Sequence, residues 1–112
     1  MVLRAKHTEF REVNGNKMAY RYLGNTGMKV SVLAYGNWLT NDKDTAETQK
    51  LCTESIKKCF DNGINFFDTA EMYAYGASET QMGKGLKELN APRKDLVIAT
   101  KLFRVGDKSP ND

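Results

Sequence analysis

Apolar positions along this chain recur with two periods, one suited to strands and one to helices, and the two alternate. Lys17-Met-Ala-Tyr-Arg-Tyr-Leu23 sets aromatic against polar residues, Gly24-Asn-Thr-Gly27 interrupts, and Met28-Lys-Val30 follows. This pattern predicts a β-hairpin whose four-residue turn is bracketed by glycines. Val30-Ser-Val-Leu-Ala-Tyr-Gly36 then runs with little polar interruption, as a strand covered on both faces does. From Thr45 to Asn62 the period is helical, with Cys52, Ile56, Cys59 and Phe60 on one face. Asp44, at the end of the polar loop Asn41-Asp-Lys-Asp44, is placed to cap this helix, and Asn62-Gly63 ends it with a residue that accepts positive φ. Gly63-Ile-Asn-Phe-Phe-Asp68 is the second strand. A second helix is predicted to start at Ser78, with Gln81 three residues on in the arrangement of a capping box. Met82, Leu86 and Leu89 form its stripe, Gly83 and Gly85 suggest close packing, and Pro92 blocks continuation. Asp95 to Leu102 is the third strand, and the chain has loop composition after Phe103. Met1 to Asn16 shows no period and reads as a flexible or docking tail, leaving residues 17–112 as the folded domain.

Gly36, Asp68 and Lys101 close the three strand-like runs at intervals of 32 and 33 residues, with a helical segment in each gap. Repeated βα units of this size build parallel sheets, and reactive groups on such sheets gather at the carboxyl ends of the strands. Eight units of this length total about 260 residues, close to the usual size of a (β/α)₈ TIM barrel. The fold class read from the pattern is therefore α/β, the N-terminal portion of such a barrel. A bottom β-hairpin precedes three strands and two helices in the order β-α-β-α-β. Three parallel strands leave a bare edge and an uncovered apolar face, so the chain alone is expected to be unstable or prone to aggregate. A partner chain or a C-terminal continuation is expected to complete the barrel.

Composition narrows the function classes. Of 112 residues, 40% are hydrophobic and 28% charged, and the net charge of +3 comes from 17 basic and 14 acidic residues spread along the chain. Without a run of like charge, neither nucleic acid nor a membrane surface is indicated. No stretch approaches the ~18 apolar residues of a membrane span. Cys52 and Cys59 lie about 10 Å apart along one helical face, beyond the roughly 4.4–6.8 Å that a disulfide spans between Cα atoms. A reduced, cytoplasmic setting fits. His7, the single histidine, lies in the N-terminal tail, which argues against a metal site.

The candidate chemistry is in Asp68-Thr-Ala-Glu-Met-Tyr73 together with Lys101. A free tyrosine titrates near pH 10, too high for an efficient proton donor at neutral pH. An ammonium nearby favours the phenolate, and an aspartate beside the lysine keeps that ammonium charged and oriented. Such a trio suits protonation of a carbonyl oxygen as hydride reaches its carbon. The plainer reading is a satisfied Asp–Lys ion pair with Tyr73 packed against its loop. Trp38, just past the first strand, either caps a barrel rim or touches a ligand. Ser78 reads as a helix cap rather than a nucleophile; Met72, Met82, Phe66 and Phe67 read as core.

Gly63-Ile-Asn-Phe-Phe-Asp-Thr-Ala-Glu-Met-Tyr-Ala-Tyr-Gly-Ala-Ser-Glu79 resembles the signature of the aldo-keto reductases, and the resemblance runs from about Lys17 to Phe103. Met18-Ala-Tyr-Arg-Tyr-Leu-Gly-Asn-Thr-Gly-Met-Lys-Val-Ser-Val-Leu33 and Asp61-Asn-Gly-Ile-Asn65 look most like the branch that contains the voltage-gated potassium channel β subunits. The resemblance implies an NADPH-dependent carbonyl reductase scaffold with an Asp, Tyr, Lys and His tetrad. Asp68, Tyr73 as proton donor and Lys101 match three of its members; the histidine belongs after the following strand, and His7 cannot replace it. Trp38 matches a tryptophan at the nicotinamide end of the cofactor, with Asp68 beside it. The preceding residue, usually threonine, is Asn37 here, whose amide can also donate. The loop after Trp38 is shorter and more charged than in channel-associated relatives and lacks their Gly-Gly-Gln run. Side chains that hold the NADP phosphates belong to later strands in this family. The 112-residue polypeptide by itself is therefore expected to show neither reductase activity nor micromolar NADPH affinity. The alternative expectation is a non-catalytic assembly subunit of a larger complex.

Overall fold

A computed structural model describes residues 7–38 and 44–102. The start of the predicted tail, most of the polar loop before the first helix and the stretch after Leu102 lie outside the described residues.

Two three-stranded sheets carry the fold. In the first, β1 (Glu9–Val13), β2 (Asn16–Tyr22) and β3 (Lys29–Ser31) are antiparallel, with Phe10 opposite Ala19 and Tyr22 opposite Lys29. The predicted hairpin is β2–β3. Residues 9–13 depart from the tail expectation: they add a strand through a tight turn at Asn14-Gly15, both at positive φ. Their charged residues hid the strand, because β1 lies at a sheet edge, where a solvated face suffices. Lys17 sits 4.9 Å over the Phe10 ring on that outer face, while Met18 and Tyr20 alternate inward and are buried.

The second sheet is parallel, in the order β4 (Tyr35–Gly36), β5 (Phe66–Asp68), β6 (Val97–Ala99). Tyr35 pairs with Phe67 and Gly36 with Asp68; Phe67 pairs with Ile98 and Asp68 with Ala99. The run expected as one strand from Val30 to Gly36 is broken between Ser31 and Tyr35, and Val32 and Leu33 are exposed. Asn65 causes the break. Its Oδ1 accepts from the Ser31 N–H at 2.8 Å and its Nδ2 donates to the Lys29 carbonyl at 3.0 Å. The Ser31 hydroxyl in turn donates to the Leu33 carbonyl at 2.6 Å, curling the chain from one sheet into the other.

Helices α1 (Ala46–Asp61) and α2 (Ala77–Leu89) pack against each other and onto the parallel sheet. The core is Cys52, Ile56, Phe67, Met82 and Leu96; the predicted helical stripes supply Cys52, Ile56 and Met82, with Cys59, Phe60, Leu86 and Leu89 partly buried around them. Gly85 permits the helix contact: a Cβ there would lie 2.8 Å from Ile56 Cδ1 and 3.3 Å from Thr53 Cα. Around Gly83 there is open space, so only one of the two glycines serves close packing.

Both expected caps are corrected. Thr45, not Asp44, caps α1 in a reciprocal box with Thr48, each backbone N–H reaching the other's hydroxyl at 3.1 Å. Asp44 accepts instead from Gln81 Nε2 at 2.7 Å. A 3₁₀ turn (Tyr73–Gly76) runs directly into α2, so Gly76 is its N-cap and Ser78 is already inside the helix, fully buried.

The two sheets meet at Gly63. The Tyr20 hydroxyl donates to the Gly63 carbonyl at 2.7 Å, and a Cβ on Gly63 would lie 2.9 Å from that oxygen. Gly63 also has φ +92°.

Candidate active site

The site lies at the carboxyl ends of β4, β5 and β6. Side chains alternate along a strand, so Lys101, two residues past Ala99, points to the same face as Ala99 and its neighbour Asp68. The backbone past β5 stays beside the backbone past β6: the Thr69 N–H donates to the Ala99 carbonyl at 3.0 Å and the Glu71 N–H to the Lys101 carbonyl at 3.3 Å. Lys101 Nζ then reaches Asp68 Oδ2 and the Thr69 carbonyl, each at 2.7 Å. The Asp68 hydrogen bond and charge, with a smaller share from the Tyr73 phenol, hold the Lys101 ammonium above lysine's ordinary pKa, against a desolvation that pulls it down.

Tyr73 closes the group. Lys101 Nζ stands 5.3 Å from the centre of its ring, within cation–π range. The Trp38 indole stacks on the same ring, centroids 5.7 Å apart and planes at 21°. Trp38 is itself 71% exposed. The chain turns sharply after Tyr73: Ala74 and Tyr75 both adopt left-handed φ, at 48° and 52°. Two such non-glycine residues cost roughly 1–2 kcal/mol each. The strain sits beside the phenol, with Ala74 buried and Tyr75 turned out to solvent.

Asp68, Tyr73, Lys101 and Trp38 are thus all brought together. His7, at the start of the described residues, is exposed. Asn37 departs from expectation. Its amide is not offered outward but donates to the Ser78 carbonyl at 2.7 Å, inside the protein. Ser78 does not cap α2, and its buried hydroxyl has no hydrogen-bond partner among the described residues. The Thr69 carbonyl escaped the sequence reading; its place directly after a strand-end carboxylate was the available signal.

What these groups can do follows from their geometry. Two acceptors hold the lysine beside the Tyr73 ring. An exposed indole beside that phenol offers a flat apolar wall. Among the described residues no cluster of His, Cys, Asp and Glu suits a metal ion, and no helix is long and apolar enough to cross a membrane.

Comparison with known proteins places residues 32–112 in a match to the aldo/keto reductase family model. A probable voltage-gated potassium channel subunit beta from Arabidopsis thaliana is 44% identical over 97 residues, covering 85% of this chain and 28% of that protein. A putative subunit of the same kind from Schizosaccharomyces pombe is 46% identical over 107 residues, covering 93% and 29%. The L-galactose dehydrogenase of Arabidopsis thaliana is 40% identical over 88 residues, covering 79% and 28%. Among solved structures, a thermostable aldo-keto reductase in complex with the inhibitor epalrestat superimposes with TM-score 0.61 at 30% identity, over 72% of this chain and 30% of that one. The chain thus spans between a quarter and a third of the length of the proteins it matches.

Proposed function

The chain belongs to the aldo/keto reductase family, and from that premise we propose that its strand ends form the proton-donating part of a carbonyl reductase site that works with NADPH. The observation that carries this reading is the Lys101 ammonium, fixed by Asp68 and Thr69 at 2.7 Å while it faces the Tyr73 ring. Tyr73 is the proton donor to the carbonyl oxygen of an aldehyde or ketone. Lys101 stabilises the phenolate left behind, and Asp68 keeps Lys101 charged and aimed. NADPH, when bound, supplies the hydride to the carbonyl carbon. The exposed face of Trp38 and the Asp68 carboxylate fit the nicotinamide end of that cofactor. They do not fit its phosphates, since Lys101, the cation at these strand ends among the described residues, is already engaged by Asp68 and Thr69. The 112-residue polypeptide by itself is accordingly expected to turn over no carbonyl compound and to show no saturable quenching of Trp38 by micromolar NADPH. Both described cysteines are free thiols, which supports a reducing, cytoplasmic setting.

The test is a barrel completed by joining this chain to the remaining βα units of the fission-yeast relative, assayed for aldehyde-dependent oxidation of NADPH. Tyr73→Phe is expected to lower kcat by about 10²–10⁴-fold with NADPH affinity retained. Unchanged turnover in Tyr73→Phe would discard the assignment. A second reading is favoured by the identity of 44–46% to channel β subunits and by sheet edges left free among the described residues. In it the chain is a non-catalytic subunit that docks into a larger assembly. A completed barrel that binds NADPH yet reduces no aldehyde or ketone would support that alternative.

A further inference from the structure

We propose that Asn37 is a positioning residue, setting Trp38 against Tyr73 by tying its strand end to the first turn of α2. This rests on the reading of the strand ends as the active site, and it concerns a side chain whose bonds are to the protein itself. Asn37 is 2% exposed, and its polar atoms are spent on the protein. Its N–H donates to the Asp68 carbonyl at 2.8 Å, its Nδ2 to the Ser78 carbonyl at 2.7 Å, and its Oδ1 accepts from the Tyr35 hydroxyl at 2.9 Å and the Cys52 thiol at 3.3 Å. The amide orientation is dictated by its partners, since a carbonyl can only accept. Burial pushes the titrations of Tyr35 and Cys52 upward, so both remain donors to Oδ1 at neutral pH.

The cross-tie joins two short segments. Trp38 follows Asn37 directly, and Tyr73 opens the 3₁₀ turn that ends at Gly76, two residues before Ser78. The stacked rings therefore lie close along the chain to the two ends of the Asn37–Ser78 bond, Trp38 next to Asn37 and Tyr73 in the turn that leads into α2. The indole, mostly exposed, has little burial of its own to hold it. An apolar residue at position 37 removes one bond each from the Ser78 carbonyl, the Tyr35 hydroxyl and the Cys52 thiol, leaving the hydroxyl the Cys52 sulfur at 3.7 Å. A carboxylate there faces the Ser78 carbonyl with no proton to give.

Trp38 is the single tryptophan of the chain, so its near-ultraviolet circular dichroism and emission report the stack without any assay of turnover. The full chain is compared with Tyr73→Leu, Asn37→Leu, the double variant and Asn37→Asp. Tyr73→Leu is expected to lose the Trp38 dichroic band, Asn37→Leu to lose it to the same extent, and the double variant to lose no more. Asn37→Asp is expected to lose the band at neutral pH and regain it on acidification, as the carboxyl gains a proton that can bond the Ser78 carbonyl. A band that survives in Asn37→Leu, or in Tyr73→Leu, overturns the proposal, as does strictly additive loss in the double variant. Should Asn37→Leu not fold, the Asp variant decides: an unchanged far-ultraviolet spectrum with no acid recovery of the band also overturns it. Because none of these readings uses a carbonyl substrate or NADPH, failure here is separable from failure of the reductase assignment.

Discussion

Lys101 shows how a group half open to solvent can still be held in place. Two acceptors at 2.7 Å fix it, and the charged one, Asp68, raises its pKa. A lysine whose folded pKa is raised contributes stability that is fully present below its unfolded value and is lost as pH rises through the folded value. The window is therefore alkaline, above about 10.4. The wild-type denaturation midpoint is expected to fall more steeply there than that of Lys101→Met, and the difference between the two curves removes the tyrosines and cysteines that titrate alongside. Equal slopes would show that the ion pair adds nothing. Asp68 and Lys101 were legible in the sequence because strand alternation fixes which side a residue faces; Asp68 ends β5, and Lys101 follows β6 by two residues, on the same side as Ala99. Trp38 on Tyr73 and Asn37 on Ser78 were not, because they depend on how α2 sits against β4, which no periodicity encodes.

Helix α2 carries two glycines with opposite expectations. Gly83 faces open space at an ordinary φ, so Gly83→Ala is expected to stabilise by about 0.5–1 kcal/mol through helix propensity and reduced freedom of the unfolded chain. Gly85→Ala forces a methyl against the end of the fully buried Ile56 side chain, at 2.8 Å, and against the Thr53 backbone, at 3.3 Å. Overpacking of that kind costs typically about 1–3 kcal/mol, which exceeds the propensity gain. Urea denaturation of the two variants should move midpoints in opposite directions, and Ile56→Val should recover part of the Gly85→Ala loss. Asp44 and Thr45 are both good cap residues, and Ser78 with Gln81 has the right spacing, yet the 3₁₀ turn shifts the start of α2. Capping chemistry was visible in the sequence; its register was set by neighbouring turns.

At the scale of the molecule, the parallel sheet is short at both sides. Neither β4 nor β6 has an outer partner among the described residues, and Ile98 on β6 is 37% exposed. Open strands of this kind pair with whatever strand they meet. The chain alone is expected to associate as its concentration rises, and Ile98→Lys, which charges that edge, should shift its sedimentation toward smaller species. A wild-type chain that sediments as a stable monomer at every concentration would show that its sheet needs no further partner. The α/β class and the βα rhythm were legible from apolar runs that close 32 and 33 residues apart, at Gly36, Asp68 and Lys101. The β1 strand was not, since a polar edge strand carries almost no apolar signal.

Gly63 has a consequence for the chain's vulnerability to proteases. The hairpin sheet rests on it through the Tyr20 hydroxyl, with Val13 and Met18 carbons 3.1 and 3.2 Å from where a methyl would sit. Gly63→Ala drives a wedge under that ribbon and strains a backbone at φ +92°. Trypsin should then cut first at Lys17 and Arg21, releasing the amino-terminal ribbon while the two-helix body stays whole, whereas the parent chain resists at both bonds.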